Sequence, residues 1–167
     1  VQHSVDVWLR DSSGFVYTAN DASPRDFYVY QYDIKSGKST PLLSRSGSWS
    51  CSDVTADGSR MLIAEYRSIS DSSMYVMDAA SGNLIDLTTK SAEGTASNRP
   101  IAFTTDEQGF FFGSDFENGF VQLYTRDARD PSKAPVPFLP NLKARDLDGA
   151  DINFSRTLLA TVHNEDG

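Results

Sequence analysis

The 167-residue sequence lacks several features that define other classes of protein. It has a single cysteine, Cys51, so an internal disulfide is excluded, and no Cys/His cluster has the spacing of metal ligands. No purely apolar run exceeds four residues, whereas a membrane-spanning helix needs about 20. Lys and Arg number 15 against 23 Asp and Glu and form no run. We therefore expect no membrane span, no nucleic-acid partner and no cofactor, and we interpret Cys51 as a small buried residue.

Glutamate and lysine, two good helix formers, are also scarce. The chain has 18 Asp but only 5 Glu, and 22 Ser but only 5 Lys. Asp and Ser bond to their own backbone and favour turns, and the ten Phe and seven Tyr favour strands. This composition predicts a turn-rich, all-β protein and argues against a helical bundle.

Three segments of the sequence resemble one another. They read WLRDSSGFVYTAN from residue 8, VTADGSRMLIAEY from residue 54 and FTTDEQGFFFGSD from residue 103. In each segment an Asp lies four residues before an apolar strand, and these residues are Asp11, Asp57 and Asp106. Because the Asp recurs in every copy, we interpret it as a turn cap rather than as part of a functional site. A shorter copy, FSRTLLATV from residue 154, lacks the Asp.

A second motif alternates with the first. YQYDIKSGKSTPLL contains Asp33 and Gly37, YVMDAASGNLIDLT contains Asp78 and Gly82, and a weaker copy surrounds Asp127. In such a strand–turn–strand unit the Asp ends the strand, and the Gly supplies the positive φ of a tight turn. The first motif recurs after 46, 49 and 51 residues and the second after 45 and 49. A period in the forties with four short strands per unit is typical of a β-propeller.

The repeat predicts an all-β fold, a partial β-propeller of about three and a half four-stranded antiparallel blades. We expect residues 1–167 to be a fragment of one propeller domain, with blades at approximately 5–43, 51–87, 100–139 and 152–163. The last of these is a partial blade with strands at 152–154 and 157–162. The chain begins with Val, and its last residues resemble a turn that leads into another strand, so we expect a piece of a longer protein.

These repeats resemble the blades of TolB-type proteins and of the prolyl oligopeptidase family of serine peptidases. The matching segments are VTADGSRMLIA, FTTDEQGFFFG and FSRTLLATV, together with YQYDIKSGKSTPLL and YVMDAASGNLIDLT. With WLRDSSGFVYTAND at one end, the sequence looks most like a bacterial dipeptidyl- or acylaminoacyl-peptidase of that family. The resemblance implies a non-catalytic region that controls the access of short peptides to a separate α/β-hydrolase domain. It also implies a periplasmic or secreted location, with the cytoplasm as the alternative.

The residues of this chain are not expected to catalyse peptide hydrolysis by themselves. The hydrolase domain of the family carries its serine in a Gly-x-Ser-x-Gly elbow, and the nearest stretch here, 47–51, lacks the spacing and the second glycine. The two histidines, His3 and His163, lie near opposite ends of the chain. We assign no catalytic, cofactor or metal residue, and no motif identifies the substrate-binding residues. The alternative function is a TolB-like scaffold for protein–protein contacts without a peptidase domain.

Aromatic side chains offer one candidate binding surface. Tyr28, Tyr30 and Tyr32 alternate on one face of a strand and could stack on sugars or peptides. The interpretation that we prefer is an aromatic layer between neighbouring blades. Trp8 and Trp49 are interpreted in the same way.

Charged clusters offer two further candidates. Residues 146–151 resemble the start of a calcium loop, but Ala150 and Thr157 occupy positions where ligands are needed, so we expect a connecting turn. The cluster of alternating charge at residues 126–130 comprises Arg126, Asp127, Arg129 and Asp130. We expect it to be a surface or blade-stapling charge cluster rather than an anion site.

The expected partners follow from the incomplete ring. In a longer protein, the hydrolase domain and the remaining blades would cover the open ends. An open half-ring exposes strand edges and blade faces, which favours association. Two copies with three and a half blades each would total seven, so a homodimer that completes the ring is also expected.

Overall fold

The computed structural model describes residues 1–142 and 145–164. Within these residues the chain forms three four-stranded sheets and one two-stranded sheet, and every sheet follows the order of the sequence. The strand pairs within the sheets are antiparallel. This confirms the prediction of an all-β partial propeller. No helix in the described residues is long and apolar enough to cross a membrane.

The three complete blades have similar strands. Blade 1 consists of β1 (His3–Trp8), β2 (Gly14–Ala19), β3 (Tyr28–Asp33) and β4 (Lys38–Leu43). Blade 2 consists of β5 (Ser48–Val54), β6 (Arg60–Ser68), β7 (Asp71–Asp78) and β8 (Leu84–Asp86). Blade 3 consists of β9 (Asn98–Phe103), β10 (Gly109–Ser114), β11 (Gln122–Asp127) and β12 (Val136–Pro137). The first strands of successive blades contact one another, so they form the inner wall of the ring.

Blade 4 differs from its predicted boundaries. It contains β13 (Leu147–Ile152) and β14 (Leu159–His163), so the predicted strand 152–154 is wrong and the true strand begins five residues earlier. The apolar anchor of β13 is Leu147, which is buried against blade 3. Asn153, where the other copies have Leu or Thr, begins the turn, and its Oδ1 accepts the N–H groups of Thr157 and Leu158.

The outer turns follow the predicted chemistry. The N–H of Ser36 donates to Oδ1 of Asp33, and the N–H of Ser81 donates to Oδ1 of Asp78. Gly37 has a φ of 67°, a left-handed conformation that glycine adopts without strain, and Gly82 repeats it at 69°. Local side-chain bonds of this kind end β3 and β7, which is why the second motif could be recognised in the sequence.

Apolar packing occurs between blades rather than within them. Val16 and Val29 of blade 1 pack with Ile63 of blade 2 in one buried cluster. A second cluster lies between blades 2 and 3, and a third lies between blade 3 and blade 4. Each complete interface therefore joins one face of a blade to the opposite face of the next blade.

The strand register shows which face of each blade points to the preceding blade. In each of the β2–β3, β6–β7 and β10–β11 ladders, the first residue of the first strand pairs with the last residue of the second strand. These last residues are Asp33, Asp78 and Asp127. Counting back three residues from each Asp gives three tyrosines in the same position: Tyr30, Tyr75 and Tyr124. Tyr75 packs on the cluster shared with blade 1, and Tyr124 is buried in the cluster shared with blade 2. The matching face of blade 1 therefore points to the position of a preceding blade.

The interface between blades 2 and 3 can be tested by truncation. Phe112 is fully buried there and stacks on Tyr124. We expect Phe112→Ala to lower the free energy of unfolding by about 3–5 kcal/mol, because it leaves a cavity in a packed core. Phe154, which is 77% exposed, is the control, and Phe154→Ala should change stability by less than about 0.5 kcal/mol. Urea unfolding monitored by circular dichroism measures the stability of both variants. Equal losses of stability would contradict the burial of Phe112 in a core between blades 2 and 3.

Candidate functional site

The inner strands of all four blades line one recess. It has a volume of about 500 Å³ and is bordered by β1, β5, β9, β13 and the turn that follows β13. Trp8 and Phe154 expose aromatic rings to solvent, and Asp151 exposes a carboxylate. A concave surface of this size that combines apolar and polar groups is typical of ligand sites. The recess is our candidate functional site.

Two carboxylates of the inner wall join neighbouring blades. Asp6 of blade 1 accepts the N–H of Cys51 of blade 2 at 2.9 Å. Asp53 of blade 2 accepts the N–H of Phe103 of blade 3 at 2.7 Å. Burial raises the pKa of Asp6, and the bonds from Cys51 and Thr18 oppose that change by stabilising the ionised form.

The turn after each inner strand has the same geometry in every blade. One residue in each turn lies in the left-handed region, and these residues are Ser12, Gly58, Glu107 and Arg156. Each of the four donates its N–H to the carbonyl three residues earlier. Glycine would be the unstrained choice, yet only blade 2 has it. We call this site the latch position, because its side chains in blades 3 and 4 contact preceding blades.

Glu107 is the latch residue of blade 3. Its Oε1 accepts the N–H of Ala56 in blade 2 at 2.7 Å and lies 4.0 Å from Nη2 of Arg10 in blade 1. Arg60 of blade 2 donates to the Glu107 carbonyl at 2.7 Å, and its guanidinium lies over the ring of Phe103. Glu107 therefore contacts both blades that precede its own.

Arg156 is the latch residue of blade 4 and repeats this pattern with opposite charge. Its Nη1 donates to the carbonyl of Phe103 in blade 3 at 2.6 Å, and its Nη2 lies 2.5 Å from Oδ1 of Asp53 in blade 2. Both charged side chains are only 7% exposed. The carbonyl of Arg156 also accepts the hydroxyl of Thr105 at 2.6 Å. These contacts fix three successive blades around the recess.

The arrangement suits binding better than catalysis. The carboxylates of half-buried Asp6 and buried Asp53 already accept hydrogen bonds from neighbouring blades, and Asp53 is paired with Arg156. The solvent-exposed residues that line the recess are Trp8, Asp151, Asn153 and Phe154. None of these four is a nucleophile activated by an adjacent base. The wall therefore offers aromatic surface and negative charge to a molecule that enters the recess.

The aromatic candidates have mainly structural contacts. Tyr30 stacks on Tyr17 at 5.2 Å between ring centroids and donates its hydroxyl to Asp21. Tyr32 stacks on Phe15 at 5.1 Å. Trp49 is buried and donates its indole N–H to the carbonyl of Ser46, whereas Trp8 is 56% exposed and borders the recess. Tyr28 is half-buried at the start of β3.

The charged candidates and the histidines are not brought together. Residues 147–151 of the calcium candidate lie in β13, so the expected connecting turn is wrong. The cluster at 126–130 is bonded locally: Asp127 pairs with Lys133 at 2.6 Å, and Arg126 donates to the carbonyl of Pro131. His3 stacks on Tyr17 in blade 1, while His163 lies in blade 4.

The recurring aspartates and Cys51 have the expected roles. Asp11, Asp57 and Asp106 each accept the backbone N–H two residues later, which is the geometry of a turn cap. Cys51 is buried, and burial raises its pKa, so its thiol stays protonated.

The sequence reasoning missed Asp53, Glu107 and Arg156. A signal was present for the last two, since both stand directly after the Asp position of the repeat, where blade 2 has Gly58. A charged residue where a turn favours glycine indicates that its side chain has a partner. The identity of that partner depends on contacts between blades, which one sequence does not display.

The buried pair can be tested by removing one partner. We expect Arg156→Ala to lower the free energy of unfolding by about 3–5 kcal/mol, because Asp53 is then left charged and buried. Adding Asp53→Ala to the same chain should restore part of that loss. The control is Asp71→Ala, which removes the more exposed pair with Arg67 and should cost about 1 kcal/mol or less. If Arg156→Ala lowers the free energy of unfolding no more than Asp71→Ala does, the proposed role of the buried Asp53–Arg156 pair is contradicted.

Turn capping predicts a pH dependence. Hydrogen bonds from Ser59 and Thr55 lower the pKa of Asp57 to about 2, whereas the unfolded chain titrates near 3.8. Its contribution to stability is therefore complete above pH 3.8 and is lost as the pH falls through about 2. We expect Asp57→Asn to be less stable than the parent at pH 7 and the difference to shrink at pH 2. Urea unfolding at both pH values measures this difference in the free energy of unfolding. A difference that is the same at pH 7 and pH 2 would contradict the capping role of the Asp57 carboxylate.

No protein-family model and no curated protein matches the sequence. The structure is similar to TolB from Acinetobacter baumannii, with a TM-score of 0.76 and 18% identity over 99% of this chain and 39% of that chain. It is also similar to prolyl oligopeptidase B from Galerina marginata (TM-score 0.70, 14% identity, 93% of this chain and 23% of that chain).

A third similar structure is a puromycin-hydrolysing peptidase from Mycobacterium tuberculosis, with a TM-score of 0.70 and 13% identity over 98% of this chain and 28% of that chain. The chain thus spans less than half the length of each of these three proteins. Identities below 20% establish the fold and not the activity. The chain has the β-propeller fold of TolB and of the propeller regions of prolyl oligopeptidases.

Proposed function

We propose that this chain is the non-catalytic propeller region of a prolyl-oligopeptidase-like serine peptidase. In this function it controls the access of short peptides to an α/β-hydrolase domain in another part of the protein. The observation that carries the proposal is the recess walled by the inner strands of all four blades. Its position on the ring axis suits a passage that selects by size.

The chemistry of the wall fits a peptide ligand. Trp8 and Phe154 provide apolar contact for side chains, and the exposed carboxylate of Asp151 attracts an ammonium group. The latch contacts of Glu107 and Arg156 hold the wall at a defined width. A rigid opening excludes large folded substrates and admits short flexible ones.

Catalysis in this proposal belongs to a separate domain. The sequence has no Gly-x-Ser-x-Gly elbow, and His3 and His163 lie in different blades. A serine peptidase needs a nucleophile with a histidine within hydrogen-bond reach. The propeller region contributes selection and the hydrolase domain contributes the reaction. For such a protein we propose a periplasmic or secreted location.

The second candidate is a TolB-like scaffold that acts through protein contacts alone. The similarity to TolB over 99% of the chain supports it. The hairpin formed by β6 and β7 favours it too, because its strands have 9 and 8 residues, whereas β2 and β3 have 6 each. Its tip exposes Ile69 at 81%, which suits contact with another protein.

The gene that encodes this chain distinguishes the two candidates. We expect a Gly-x-Ser-x-Gly elbow in the reading frame after residue 167, and we expect a fluorophosphonate probe to label the complete gene product. Residues 1–167 expressed alone should remain unlabelled, which serves as the control. A stop codon soon after the last blade, or a complete product that the probe does not label, would refute the peptidase and favour the scaffold.

A further inference from the structure

The β6–β7 hairpin of blade 2 is longer than the corresponding hairpins of blades 1 and 3. In those two blades the ladder between the middle strands has six residue pairs. The ladder of blade 2 starts at the equivalent pair and continues past its sixth, so that Tyr66 pairs with Ser72 and Ser68 pairs with Asp71. Because β6 begins directly after the latch turn at Gly58, this tip projects at the opposite end of the blade.

Arg67 holds the tip of the hairpin in one conformation. Its guanidinium donates to both carboxylate oxygens of Asp71 at 2.8 Å, to Glu65 at 2.6 Å and to the hydroxyl of Ser73 at 2.7 Å. Glu65 follows Ile63 by two residues in β6, and Ile63 packs against blade 1. The charges of the tip are thus paired with one another on the face toward blade 1, and the tip is ordered before anything binds to it.

The opposite face of the tip borders a groove with a volume of about 410 Å³. One side of the groove is β6 from Ala64 through Tyr66 to Ser68, and the other is the start of β9 in blade 3. Tyr66 is 57% exposed, and Ile69 beside it is exposed as well. Four residues of extended strand span roughly 13 Å, so the groove has the length of a short extended peptide segment.

The charge of the groove differs from that of the whole chain. The chain has a formal charge of −8, yet the charged residue that lines the groove is Arg99, and the other lining residues are neutral. Arg99 is exposed, and in the part of the chain that the structure describes its guanidinium makes one hydrogen bond, from Nε to the hydroxyl of Ser97 at 3.3 Å. Its two terminal amino groups are available to bind a carboxylate in the bidentate geometry that guanidinium groups favour.

We propose that this groove binds an extended acidic segment of a partner protein. A carboxylate of the segment pairs with Arg99, and apolar side chains next to it contact Tyr66 and Ile69. The unpaired positive charge selects against basic segments, which gives the site its specificity. The groove lies between blades 2 and 3, so the proposal is independent of the peptidase function.

Selection of peptides from a random library displayed on phage tests this proposal with the complete gene product. Peptides are retained if they bind the parent protein and discarded if they also bind Arg99→Glu. We expect the retained peptides to contain Asp or Glu next to an aromatic or aliphatic residue. Fluorescence anisotropy of one labelled synthetic peptide then gives its affinity for each variant.

Arg99→Glu should weaken binding of this peptide by roughly tenfold or more, because two like charges then oppose each other in the groove. Tyr66→Ala should weaken it as well, since the exposed ring no longer contacts the apolar part of the peptide. The matched control is Lys35→Glu, which changes the net charge equally on an exposed turn of blade 1 and should bind like the parent.

Far-ultraviolet circular dichroism confirms that each variant is folded, and Arg99→Gln provides a milder substitution at the same position. A peptide with Gln in place of its acidic residue should bind Arg99→Gln and the parent equally weakly. Failure to retain any peptide, retained peptides without an acidic residue, or equal losses for Lys35→Glu and Arg99→Glu would each overturn the proposal.

Discussion

A four-stranded blade of this chain has two apolar faces and cannot cover either of them by itself. Blade 2 illustrates this constraint, because Ile63 faces blade 1, Leu62 faces blade 3, and both are fully buried. Complete burial of one such side chain contributes about 1.5–3 kcal/mol. Stability therefore accumulates interface by interface, as in other repeat architectures. The succession of blades and the recess between their inner strands follow from this constraint.

Apolar burial is non-directional, so it does not by itself set the angle between blades. The polar contacts at the latch position supply direction. Glu107 and Arg156 each extend past the neighbouring blade to the one before it, which relates three blades at once. A buried ion pair such as Asp53–Arg156 is a weak source of stability compared with apolar packing. Its contribution in this protein is geometric, since it holds the wall of the recess.

Local features were predictable from the sequence, and contacts between blades were not. Asp33 and Gly37 predict their turn from the sequence, because the Asp carboxylate accepts a backbone N–H three residues later and the glycine adopts the left-handed φ. The start of blade 4 was misplaced because Ser155 stands in place of the recurring Asp and Asn153 begins the turn instead of Leu or Thr, which removes the signal. The partners of Arg156 are 53 and 103 residues away along the chain. Composition and periodicity contain no information about such pairs.

The long sequence separation between Asp53 and Arg156 has a consequence for the order of folding. Strands within each blade pair with their neighbours in sequence, so a blade closes through short loops at low entropic cost. During synthesis, blades 1 and 2 can form while the turn of blade 4 is still inside the ribosome. Asp53 must remain without its guanidinium until about one hundred further residues have been added. Until then the carboxylate of Asp53 lacks its counter-charge, and the contacts that Arg156 makes with blades 2 and 3 are among the last to form.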